Sequence, residues 1–141
     1  SRPLLTEIAA YAAMSGDADL TKRWFRNLWH IYPTAALRLL YSEDFAPARS
    51  ETESAMCAEL SERTRDVLPG RMPTNLFKFR KVVIARATEM RMELGQLMET
   101  CGPGLGSLLN LAKKRHGGQF SVGELGGPFH FAPRNEGARR G

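Results

Sequence analysis

Apolar residues in this chain recur at spacings of three and four, in segments that stop at proline or glycine, and this constrains the fold more than any other feature. Side chains so spaced share one face of an α-helix, whereas a strand would require alternation. The first helix is expected from Pro3 to Ser15, with Leu4, Ile8, Tyr11 and Ala12 as its apolar positions and Gly16 as its stop. A second follows an Asp17 or Asp19 cap and reaches Ile31, because Pro33 pushes the preceding residue out of helical geometry. On a helical wheel its Leu20, Trp24, Phe25, Leu28, Trp29, Ile31 and Tyr32 fill one half, while Lys22, Arg23, Arg26 and His30 form a basic strip on the other. The aromatic group is read mainly as core, with Trp29 at the border of the basic strip, where a ring can meet a partner or stack with Arg23 or Arg26.

Four more helices are expected. A short one spans Thr34 to Tyr41, and a fourth opens on Ser50 and Glu53, which fit a capping box, and ends at Pro69-Gly70. The fifth, from Thr74 to Cys101, carries a seam of Val83, Ala87, Met90, Leu94, Leu97 and Cys101, suited to near-parallel packing in a bundle. A sixth is expected from Leu105 to His116. From Gly117 onward seven glycines and two prolines occur in the last 25 residues, which suits an extended arm or small β-hairpin with a basic tail. The expected fold is therefore all-α: a single-domain bundle of five to six helices over residues 1–116, followed by a Gly/Pro-rich arm over 117–141. A chain of 141 residues with 43% apolar content can bury an adequate core without a disulfide or metal.

Cys57 and Cys101 fall on apolar helical positions and are expected as buried free thiols, which favours a reducing, cytoplasmic setting. No apolar run reaches the length of a membrane span, and the Ser1-Arg2-Pro3 start does not resemble a secretory signal.

The net charge is +5, and arginine supplies 15 of the 20 basic residues. Arginine suits phosphate, since its planar fork makes paired hydrogen bonds that lysine cannot. Genome base composition explains the same enrichment equally well. Residues 42–70 carry seven acids and three bases, whereas 71–115 carry nine bases and three acids. The second stretch holds the candidate nucleic-acid-binding residues Arg71, Lys78, Arg80, Lys81, Arg86, Lys113, Lys114 and Arg115, with Arg91 also basic and Phe77 and Phe79 interleaved. Such a surface would track phosphates and release counterions. The competing reading is a solvated helix face partly paired with the acidic fourth helix, with Lys113 to Arg115 simply complementing a helix dipole.

No signature of catalysis or metal binding is present. His30, His116 and His130 match no ligand spacing, and no GxSxG occurs. The Gly102–Ser107 loop matches neither common phosphate-loop pattern and reads as a helix stop followed by a turn. Glu59 and Glu62 share a helix face but are explained by solvation. Neither cofactor nor metal is expected. The leading expectation is a non-enzymatic helical protein that binds RNA or DNA and self-assembles. The alternative is an interaction or assembly subunit whose C-terminal arm packs on neighbouring chains. An enzyme with a pocket between helices ranks third.

Overall fold

The computed structural model describes residues 1–101 together with Leu108. The described residues form six α-helices and no strand: α1 (Arg2–Ser15), α2 (Ala18–Ile31), α3 (Pro33–Leu40), α4 (Arg49–Thr64), α5 (Leu76–Glu89) and α6 (Leu94–Cys101). A 3-10 helix over Glu43–Ala48 runs directly into α4. The all-helical expectation is met. The expected sixth helix and the arm of residues 117–141 lie outside the described residues, apart from Leu108, which is helical and 1% exposed.

Short connections set the topology. Gly16 adopts a left-handed conformation (φ 80°) and closes α1, with its N–H donating to Ala13 O. Asp17 then caps α2, its side chain accepting from Leu20 N at 3.0 Å. A turn this tight folds α2 back along α1. Pro33 takes the first turn of α3, where its missing N–H costs nothing. Arg49 reaches back from the start of α4 to the end of α3, donating to Leu40 O (2.7 Å) and Ser42 O (2.6 Å).

One hydrophobic cluster draws on all six helices. Phe25 of α2 meets Phe45 of the 3-10 helix with ring centroids 5.2 Å apart, and Leu28, Leu37, Leu40, Leu60, Phe79 and Leu97 are fully buried around them. Each such side chain contributes about 1.5–3 kcal/mol by leaving water. Cys57 lies in this core as a free thiol, as expected. No described helix is long and apolar enough to cross a membrane.

Three expectations are corrected. The Ser50/Glu53 capping box does not form, because the 3-10 helix leads straight into α4 and no side chain caps its first turn. Glu53 instead accepts from Tyr41 Oη (3.1 Å) and from the backbone N–H of Leu76 (2.9 Å), so it satisfies a free donor at the start of α5. The long fifth helix is divided. Arg91 N donates to Thr88 O and Met92 N to Ala87 O, the bond pair of a Schellman motif, with Arg91 left-handed at φ 55°. The seam breaks there: Val83, Ala87 and Leu97 are buried, while Met90 is 49% exposed. Finally, α1 turns its small residues inward. Ala9, Ala12 and Ala13 are buried, whereas Leu4 and Tyr11 are 55% and 69% exposed.

Candidate functional site

The described members of the expected cationic set do not form one wall. Leu76, Phe79, Val83 and Ala87 are the buried face of α5. At about 100° per residue, Arg80 and Arg86 fall on opposite flanks of that face, while Lys78 and Lys81 point outward between them. Arg86 is engaged within the chain. Its guanidinium donates to Pro69 O (3.2 Å) and Arg71 O (3.1 Å) and contacts Met72 Sδ (3.0 Å), tying down the loop between α4 and α5. Gly70 in that loop has φ +113°, and a Cβ there would lie 3.3 Å from the same guanidinium. Arg80 is half-buried, and loss of solvent lowers its pKa. Lys78, Lys81 and Arg71 are exposed, and Lys113, Lys114 and Arg115 lie outside the described residues.

A more coherent cationic strip lies on α2, at its border with the acidic α4. Lys22, Arg23, Arg26 and His30 occupy an arc of about 100° on the outside of α2, with Asp19 at its N-terminal end. Glu59 of α4 is the hub of this face. Its carboxylate accepts from Arg26 Nε at 3.0 Å, pairs with His30 Nε2 at 2.7 Å, and accepts from Arg63 Nη2 at 3.0 Å, one turn along α4. Burial works to raise the Glu59 pKa, but the hydrogen bonds and charges of Arg26 and His30 outweigh it and hold the carboxyl below its ordinary value. One carboxylate thus holds three partners drawn from two helices. The Arg65–Glu62 pair nearby (2.9 Å) is two-thirds exposed on both sides and contributes little.

Beside this hub, α2 and α4 part to leave a cleft of about 180 Å³. Its buried members are Phe25, Trp29, Met56 and Thr52; Lys22, Arg26 and Ala55 are exposed, and Glu59 is half-buried. Trp29, read from sequence as a border residue, is 3% exposed and meets the His30 ring edge-on at 5.5 Å. Its indole Nε1 has no hydrogen-bond partner, and it is the one such buried side-chain nitrogen or oxygen among the described residues. An unpaired buried donor costs about 1–3 kcal/mol. A wider cleft of about 580 Å³ between α1 and α3 sets Arg2 and Arg38 against Glu7 and Asp44, and this balance favours neither sign of ligand.

The buried polar groups elsewhere are chemically quiet. Burial, and then the charge of Glu53, pushes the Cys57 thiol up to about 12, so it stays protonated and is a poor nucleophile. Burial and Glu53 likewise raise the Tyr41 phenol far above its ordinary value. Among the described residues no group of three or more His, Cys, Asp or Glu is placed to hold a metal ion.

The basic strip of α2 was legible from the spacing of Lys22, Arg26 and His30, but its anchor was not. Glu59 and Arg63 announce themselves only as an ordinary i, i+4 pair on α4. That Glu59 also meets α2 is a tertiary fact. No family model, curated protein or solved structure matches this chain.

Proposed function

We propose that this protein binds the phosphate backbone of RNA or DNA, without enzymatic activity, through the outer face of α2, with Arg63 of α4 at its edge. The observation that carries the reading is the exposed strip of Lys22, Arg23 and Arg26 along the outside of α2, with Glu59 of α4 holding Arg26 and Arg63 side by side at its edge. Arginine forks held in position lose less freedom on meeting phosphate than free ones. The exposed Lys78 and Lys81 on α5 are a secondary contact in this reading. The free thiol of Cys57 fits a reducing, cytoplasmic setting.

The test is fluorescence anisotropy with random-sequence oligonucleotides. Binding at low salt should weaken steeply as salt rises, since each neutralised phosphate releases counterions. The double variant Lys22→Glu/Arg23→Glu leaves the Glu59 contacts untouched and should lose about tenfold or more in affinity. Lys78→Glu/Lys81→Glu should lose less. Absence of binding at low salt would remove the proposal.

A second reading, association with further copies of this chain, is supported by α1. A helix that buries Ala9, Ala12 and Ala13 while exposing Leu4, Tyr11 and Met14 presents its larger apolar surface outward. Among the described residues only two other large hydrophobic side chains, Ile31 and Met90, are comparably exposed. Grouped exposure of this kind marks contact surfaces more often than scattered exposure does.

A further inference from the structure

We infer that α1 pairs with α1 of a second copy of this chain in an antiparallel, two-fold dimer, through the stripe Leu4, Glu7, Tyr11 and Met14. The inference rests on the self-association reading and adds to it an orientation, a register and a closed number of copies.

The stripe is the first argument. Its members are spaced three, four and three, the interval that keeps two packed helices in contact along one seam. At about 100° per residue they fill an arc of about 80° on α1, opposite the buried Ala9, Ala12 and Ala13. All four are exposed, and Leu4, Tyr11 and Met14 are between 55% and 69% exposed.

Self-complementarity is the second argument. Laid antiparallel about the middle of the stripe, Leu4 faces Met14 of the second copy and Glu7 faces its Tyr11. Two-fold symmetry makes each contact twice. Apolar ends then meet apolar ends, and the one acid meets a hydroxyl that donates to it. Within the described residues, neither the Glu7 carboxylate nor the Tyr11 hydroxyl has a hydrogen-bond partner. A parallel pair would instead set Glu7 against Glu7, two like charges in contact.

The helix ends supply the third. No acidic side chain lies in the first turn of α1 and no basic one in its last, so the helix dipole is not offset by its own residues. Antiparallel pairing sets each positive N-terminus beside a negative C-terminus, whereas a parallel pair brings like ends together. Because both copies use the same patch, the contact closes at two. One helix pair is smaller than the roughly 800 Å² per partner of a standard interface, so association is expected only at high protein concentration.

The experiment traps the register on the full chain. Leu4→Cys and Met14→Cys are made as separate variants, at positions more than half exposed, where neither change disturbs the core. A disulfide needs Cα atoms within about 7 Å. Positions 4 and 14 of opposite copies meet in the antiparallel dimer, whereas the two copies of position 4 lie about 15 Å apart along the helices. Mild oxidation of the mixed variants should therefore give several-fold more covalent dimer than oxidation of either variant by itself. The parent chain, which retains Cys57 and Cys101, sets the background. Light scattering at high concentration should reach the mass of two chains and stop there. Covalent dimer formed as readily by either single variant as by the mixture overturns the antiparallel register while leaving self-association intact. So does a mass of two chains with no crosslink in the mixture, and growth beyond two copies overturns the closed pair. If the chain stays monomeric and the mixture gives no crosslink above background, both readings fall together.

Discussion

Glu59 shows how one side chain organises a surface that charge counting alone misjudges. Its carboxylate takes Arg26, His30 and Arg63 together, so three basic side chains on two helices share one anion. The pH dependence follows from the lowered native pKa. In the unfolded chain a glutamate titrates near about 4.3. Above that value both states are ionised and the native contacts contribute their full stability. As pH falls below it, the unfolded state takes up a proton first, and the contribution disappears as pH passes through the lowered native value. Glu59→Gln should therefore reduce stability at pH 7 by about 1 kcal/mol or less, the range of exposed ion pairs. Urea unfolding at a series of pH values should show the two proteins converging toward acid. A constant difference down to pH 3 would mean that shape, rather than charge, is what Glu59 supplies.

At the scale of elements, the boundaries that depend on local chemistry were legible and those that depend on tertiary contact were not. Gly16, Asp17 and Pro33 mark the ends of α1, α2 and α3 by backbone rules alone. Met90-Arg91-Met92-Glu93 contains no glycine, proline or asparagine, so the helical pattern reads straight through the break between α5 and α6. Tertiary packing decides it: turning the chain at Arg91 brings Leu97 into the core and α6 against α4, a gain a straight helix would forgo. Arginine at the left-handed position costs about 1–2 kcal/mol, since its Cβ crowds the backbone. Glycine removes that cost but returns about 0.5–1 kcal/mol as unfolded-state entropy. Arg91→Gly should accordingly raise stability by about 0.5–1 kcal/mol. Arg91→Val, β-branched at a positive φ, should lower it. Thermal unfolding of the two variants beside the parent checks the order, and a destabilised Arg91→Gly would show that the arginine side chain itself holds the turn.

Over the whole molecule, helical class followed from periodicity, but the outward face of each helix did not. Leu4, Ile8 and Tyr11 look like a core stripe because hydrophobicity is all that a sequence pattern weighs. The fold uses the alanines of α1 instead, which lets α1 and α2 approach closely, and leaves Leu4, Tyr11 and Met14 outside. The protein thus carries two surfaces of different chemistry, cationic on α2 and apolar on α1, and salt should act on them in opposite directions. Phosphate binding weakens as salt rises, because counterion release loses its advantage. Apolar association strengthens in sulfate, which is excluded from protein surface and favours burial. Light scattering at high protein concentration should therefore give a mass above the monomer that increases with sulfate. Leu4→Glu/Tyr11→Glu should restore the monomer without lowering the unfolding temperature, since both side chains lie largely outside the core. The same variant should bind oligonucleotides as the parent does if the two surfaces act independently. A monomeric mass at every concentration and in sulfate would leave α1 with no association to explain, and phosphate binding would then have to stand by itself.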